Sequence, residues 1–575
     1  MNSAKPSAPP SGAATSGWRR LRRSEAWWVA AASLAFGALF SYPFLVRLAQ
    51  PSQQNDWDFE SQLIWAPYYT VVHFHQLPLW NPWKCGGMAM LGNPQSRFYT
   101  PLFIFHLIFG PVVGGHLEVA LHLAIACAGG YVLARVLGLR PLAALAAGTI
   151  FPACGWFPLH MGEGQIHLMS FAYLPWFIAL MLTASDRAIA LPAICGGALL
   201  ALTFGEGGAE VATYSAPLIG ILAAYEVIRR RSIRPILFLA AAVGFGVGFV
   251  AVKLLPVVVL LRERGRVPWG PAWIMWHDLP QIFFARDQEL IALRDRFFIE
   301  FGDYTSPAFV ILAVAGLLLG RMRTLPWIVC GWVLFLLLRG DNCSIPLYSW
   351  MHDLPFISML RLSSRFLIPF TLCVAALAAI GVDEAVRRFG RPGRWAAIAL
   401  LAIGLVDSLM VATPFLRHAY DHVPGHFDYT PNFKQFADWD MFNQTVVGQA
   451  NMGFLHCYEY TPWKTTVVAY NEKGYRGEQY MQGPGTVKLI KWTPDRLTYA
   501  VDTPAPSVLV INQNYEPEWY LAQGDGQMTD TGGLLGVAVG KGHEELTLVY
   551  RGWPFEVGLA VTGLTLAAAI VILLL

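Results

Sequence analysis

Charge is what this chain has little of. Only 14% of its 575 residues are Asp, Glu, Lys or Arg, where a soluble domain carries about a quarter. That shortage, together with 55% hydrophobic residues, excludes an ordinary soluble globule and predicts a polytopic membrane protein. A formal net charge of +3 leaves no electrostatic footprint for nucleic acid. Cysteine is sparse too, and the eight present show neither CxxC nor a Cys/His metal spacing. Cys127, Cys154, Cys195, Cys330 and Cys373 fall in apolar runs, where cysteine behaves as a small hydrophobe. Cys85, Cys343 and Cys457 fall in polar segments and are expected to be unbridged.

Basic residues are missing from the short loops on one side. The short loops near 160–167 and 205–211 hold no Lys or Arg. The alternate loops hold Arg140, Arg187, Arg229, Arg230, Arg231, Arg234, Arg321, Arg323, Arg387, Arg388, Arg391 and Arg394, and the N-terminus holds Arg19, Arg20, Arg22 and Arg23. The positive-inside pattern therefore puts the N-terminus in the cytoplasm. Residues 1–26 read as a disordered basic tail, rich at its start in Ser, Ala, Pro and Gly. The run 27–49 is too long for a signal-peptide core and reads as an uncleaved first span.

Apolar runs then fall near 112–137, 141–159, 169–184, 189–204, 212–228, 235–261, 306–320, 325–339, 366–385, 394–412 and 556–575, giving about twelve spans. The predicted fold is mainly α: a helical bundle over 27–412 with a long first outward loop, 50–111, then an outer domain, 413–555, and a last span, 556–575. Alternating stretches such as "TVKLIKW" (486–492), "SVLVINQ" (507–513) and "ELTLVYR" (545–551) are separated by Gly, Pro and Asp turns. That pattern predicts antiparallel strands and a β-sandwich-like outer domain.

Acids follow the outward direction. "NDWDFES" (55–61) holds Asp56, Asp58 and Glu60, and Glu163, Glu206, Glu210, Glu300 and Asp303 also sit at outward ends. A mid-bilayer carboxylate costs about 2.5–3.5 kcal/mol, a penalty that fades at the interface. If 55–61 is extended, the three acids share a face; if helical, Asp56 and Glu60 share one and Asp58 points elsewhere. "LHMGEGQIHLM" (159–169) and "FGEGGAEVATY" (204–214) each put Gly-Glu-Gly at an outward helix junction, where glycine permits tight turns and close approach. Either is also readable as a plain turn with an incidental acid. His160 and His167 could join Asp56 and Asp58 around a divalent metal, Mg or Mn. Arg361 and Arg365, four apart, share a helical face and suit either a phosphate or snorkelling to headgroups. Lys253 is the one basic residue well inside an apolar run, and neither broken helices nor midplane charge clusters of the transporter kind are evident.

"LPLWNPWKCGGMAMLGNPQSRFYTP" (77–101), "GEGQIHLMSFAYLPW" (162–176), "LPFISMLRLSSRFLI" (354–368), "NQNYEPEWYLAQGDGQ" (512–527) and "GKGHEELTLVYRGWPFEVGLAVT" (540–562), in that order, resemble the bacterial YfhO-like membrane proteins of the GT-C glycosyltransferase superfamily. The family's Gly-His pair is displaced here, with Glu at 163 and His at 167. The resemblance implies sugar transfer from a polyprenyl-phosphate donor to an extracytoplasmic glycan, lipid or protein acceptor, with inversion, at a bacterial inner membrane. It implies an acid of the first outward loop, Asp56 or Asp58, as base or metal ligand. Glu60, Glu163, His167, Glu206, Glu210, Arg361 and Arg365 are then the substrate-binding candidates. The competing readings are a transporter or flippase for a lipid-linked glycan, and a non-catalytic scaffold.

Overall fold

The computed structural model describes residues 23–184, 189–265, 274–288, 300–340, 342–352, 354, 358, 360, 362–438, 440–456 and 465–575. Arg361, Cys457 and residues 1–22 lie outside the described residues. Among the described residues the first helix is Arg23–Phe40, so residues 23–26, expected in the disordered tail, are helical.

Several helices open on proline. Pro111, Pro141, Pro307 and Pro326 occupy first turns, where the missing N–H costs nothing. Among the described residues six helices are long and apolar enough to cross a membrane: Pro111–Val136, Pro141–Glu163, Ile166–Ala184, Ala209–Arg230, Ser363–His418 and Trp553–Leu574. Shorter apolar helices cover Ser24–Phe40, Ala190–Gly205, Pro307–Leu319 and Leu325–Leu338.

Two stretches differ from simple spans. The stretch 363–418 doubles back at Gly390, whose φ of 60° and ψ of −129° belong to glycine. Beyond that turn the backbone of Gly393 lies against Ala385, so the stretch is a hairpin holding both spans predicted there. The run expected as one span at 235–261 is broken instead. Arg234–Phe249 and Ala251–Arg264 meet at 83°, and Lys253 is buried beside the break. The sequence reading that no broken helix is present is therefore overturned.

The two ends of the bundle carry different chemistry. At one end the Arg140 N–H donates to Asp383 Oδ1 (3.1 Å), and Arg323 bonds Asp383 (3.0 Å) and Glu384 (3.2 Å). Arg135 reaches Glu25 there as well (2.8 Å). The acids of the predicted outward loops gather at the other end, because Pro141–Glu163 carries the chain from Arg140 to Glu163. The first arm of the hairpin separates Arg365 from Asp383 by eighteen residues, about 27 Å of helix, close to the thickness of a hydrocarbon core.

The C-terminal region forms two four-stranded antiparallel sheets. One runs in spatial order Gln527–Asp530, Leu534–Val539, Ser507–Asn514, Gln479–Gln482, and the other Thr486–Thr493, Arg496–Thr503, Gly542–Tyr550, Trp519–Gln523. Their facing side chains, including Leu497, Tyr499, Ile511 and Val537, share a core with Leu79, Trp80 and Leu91 of the first loop. Trp80 donates from its backbone to Asp495 (2.7 Å) and from its indole to Gln513 (2.9 Å). Burial pushes the Asp495 carboxyl up to about 8 in spite of those amides. The first loop is thereby clamped to the sandwich. Cys85 of this loop is disulfide-bonded, which corrects the expectation of unbridged polar-segment cysteines; Cys343 is free.

Candidate functional site

Helix Asp56–Phe74 settles the geometry of "NDWDFES". On a helix, positions four apart share a face and a position two away points elsewhere. Asp58 accordingly faces the outer domain. It is fully buried, and its carboxylate accepts from the backbone N–H groups of Gln444 (2.7 Å) and Thr445 (3.0 Å) at the start of helix Gln444–Gln449. Thr445 Oγ1 also donates to the Asp58 carbonyl (2.9 Å). Burial pushes the Asp58 carboxyl up, and those hydrogen bonds oppose it. Asp58 is a fastener between loop and outer domain.

Asp56 and Glu60 face the opposite way, towards "GEGQIH". Gly164 makes that approach possible. Its φ is +92°, and a Cβ there would collide with the backbone of Asp56 and Trp57. The adjoining Glu163 accepts from Asn55 Nδ2. The second Gly-Glu-Gly turn behaves alike, since a Cβ on Gly207 would meet the Gln95 backbone. Both turns are close-contact joints against the first loop, and both contribute acids.

One network results. His167 Nδ1 lies 3.0 Å from Glu60 Oε1, and its Nε2 lies 3.1 Å from Glu210 Oε1. Ionised carboxylates only accept, so both ring nitrogens carry hydrogen when both acids are charged. Arg365 bonds Glu210 and grips Glu300 through Nε (3.1 Å) and Nη2 (2.8 Å). Gln165 donates to Glu300 (2.7 Å) and faces His160 Nδ1 (2.6 Å). Burial tends to raise the Glu300 carboxyl, but Arg365 overrides it and holds it down to about 2.

Asp56 stands apart within this network. It is half-buried and has no salt bridge among the described residues. Burial, then the charges of Glu300 and Glu60, push its carboxyl up to about 6, while His167 and the Gln165 amide work against that rise. A carboxyl poised near neutral pH with part of its surface open is what a general base requires.

The expected metal set does not assemble. Asp58 is turned away, His160 faces an amide, and His167 spends both nitrogens on carboxylates.

Glu206 falls in a second, sealed network that sequence reasoning missed. Its carboxylate meets His122 Nε2 (2.9 Å) and the Tyr173 hydroxyl (2.6 Å). Nearby, Glu118 meets Arg97 (3.1 Å) and His106 (3.2 Å). Glu118, His122 and Glu206 offer atoms within 4.8 Å of one another, yet each of those side chains already has a partner in the protein. Lys253 donates to the carbonyls of Ser96 (2.5 Å), Phe204 (2.7 Å) and Gly205 (3.4 Å). The available signal was Glu118 and His122, four residues apart inside an apolar run.

Among the sequence-predicted residues, Asp56, Glu60, His167, Glu210 and Arg365 therefore converge, with Glu163 and His160 at the margin. Asp58 and Glu206 lie in other contacts. No family model and no curated protein sequence matches the chain.

Proposed function

We propose that this protein is a membrane glycosyltransferase of the GT-C kind, moving a sugar from a polyprenyl-phosphate donor to an acceptor outside the cytoplasm, with inversion. The observation that carries the proposal is Asp56: a half-buried acid raised to about 6, joined through Gln165 and Glu300 to Arg365. In this reading Asp56 accepts the proton of the acceptor hydroxyl as its oxygen bonds to the anomeric carbon. The bond from that carbon to the phosphate oxygen breaks, and its electron pair leaves with the polyprenyl phosphate.

The other residues take supporting roles. Glu60 Oε2 has no hydrogen-bond partner among the described residues and is available to orient a hydroxyl. Arg365 is committed to Glu210 and Glu300, so its first effect is to hold the acid ring together. Arg361 keeps the leaving-phosphate role suggested by its sequence. The disulfide at Cys85 favours an oxidising, extracytoplasmic setting for the first loop, and the arginine-rich opposite end favours an inward N-terminus at a bacterial inner membrane.

The test is sugar release from a polyprenyl-phosphate donor by the purified full chain. Turnover is expected to rise with pH through about 6, as Asp56 loses its proton, and to fall at least about 100-fold in Asp56→Asn. Unchanged turnover in that variant would remove the assigned base. A second reading, translocation of a lipid-linked glycan, draws support from the 83° break beside Lys253. It predicts movement of the donor across vesicles without sugar release, abolished by Lys253→Met.

A further inference from the structure

On another flank of helix Asp56–Phe74 lies an open cleft with a cavity of about 130 Å³. Its apolar wall comes from Trp57, Ile64 and Trp65 of that helix, Val112 at the start of Pro111–Val136, and Val446 of the outer segment. Among the described residues no Asp, Glu, Lys or Arg lines it. Its histidine, His116, is engaged at both nitrogens, with Ser52 Oγ (3.0 Å) and the Leu48 carbonyl (3.0 Å). A charged ligand would meet no counter-charge here and would lose its hydration.

Among the described residues that line the cleft, Gln53 is the most deeply buried polar side chain without a hydrogen bond. Gln53 is 4% exposed and lines the cavity, and its backbone is pinned to the Ala419 carbonyl (2.9 Å). Its side-chain amide makes no hydrogen bond among the described residues. An amide buried to that degree normally has a partner, so the cleft is built to receive a hydroxyl or carbonyl at that point. Val112 and Gly115 sit in the first turns of an apolar spanning helix, which places the cleft at the level where chain meets water.

The geometry points to a binding site for an uncharged amphiphile, a neutral lipid whose apolar chain fills the cleft and whose hydroxyl or carbonyl pairs with Gln53. Gln53 and Asp56 are three positions apart, at most about 11 Å of backbone. On the transferase reading, this amphiphile is the acceptor or its lipid portion. That role rests on the reading; the binding itself does not.

The full chain in nanodiscs should be photolabelled with a diazirine-bearing monoacylglycerol and the labelled peptides mapped. Label is expected within 51–65, 111–116 or 445–449. It should fall at least tenfold in Ser61→Trp, which fills the cleft, and severalfold in Gln53→Leu. Excess unlabelled monoacylglycerol should compete and lysophosphatidic acid should not. Label elsewhere, equal label in Ser61→Trp, or equal competition by the anionic lipid would overturn the inference. Asp56→Asn should label like wild type. Sugar transfer without cleft labelling would sink this inference alone, and cleft labelling without transfer would sink only the acceptor role and the transferase reading.

Discussion

Two ionic networks lie side by side at the acid-bearing end of the bundle, and they differ in access to water. In the first, Glu210, Glu300 and Arg365 retain 11%, 13% and 5% of their side-chain surface, and Asp56 is half-buried. In the second, Arg97, Glu118, His122 and Glu206 retain 1% or less. The sealed network balances charge inside itself through Arg97 and its histidines. The open one gathers Asp56, Glu60, Glu210 and Glu300 against Arg365 and His167, an excess of acid among the described residues of that cluster. A sealed, balanced network holds helices in place; an open, unbalanced one is equipped to act on something.

The largest expected effect falls on the sealed side. Arg97→Met leaves the buried Glu118 with His106 as its remaining ion-pair partner, a loss of about 3–5 kcal/mol, seen as a collapse in yield and thermal stability. Adding Glu118→Gln should recover much of it. Arg365→Met should cost less, about 1–2 kcal/mol, because water reaches its partners. Equal costs for Arg97→Met and Arg365→Met would erase the distinction between the networks.

Next comes the fastener. Asp58→Ala strips acceptors from two buried backbone amides, for about 2–3 kcal/mol, and should expose the segment around 444–449 to protease. A smaller effect concerns pH. Asp56 holds its proton to about 6 in the folded state against a reference of 3.8, so the folded chain binds more protons than the unfolded one between those values. Stability therefore falls as pH rises from about 4 to 6, by roughly 1–2 kcal/mol after allowing for partial exposure. Asp56→Asn should flatten that slope in thermal melts across the range. Smallest of all, Asn55→Ala removes the hydrogen bond to Glu163 and should cost about 0.5–1 kcal/mol.

How much of this was readable beforehand depended on periodicity and sign. Alternation located the strands at 486–493 and 507–514 to within a residue and the one at 542–550 to within three, because one face of each had to be apolar. Arginine placement separated the two ends of the bundle without any helix being packed. For "NDWDFES" the sequence left two geometries, and the helix chose between them: Asp56 and Glu60 together, Asp58 apart. The partners of Asp58 lie nearly four hundred residues away, beyond any local pattern. The sealed network stayed hidden for a related reason. Arg97, Glu118 and Glu206 come from separate segments, and only packing reveals that they compensate one another. The 83° break was missed because Lys253 reads as an isolated charge until its carbonyl ligands are known.

The measurement that bears most directly on the account is sugar release by Asp56→Asn and Asp58→Asn assayed beside wild type, normalised to folded protein. Asp56→Asn is expected to be folded, at least as stable as wild type above pH 6, and slower by about 100-fold or more. Asp58→Asn should lose stability but keep near-normal turnover in its folded fraction. Full activity in folded Asp56→Asn, or a folded but inactive Asp58→Asn, would contradict the assignment of the base.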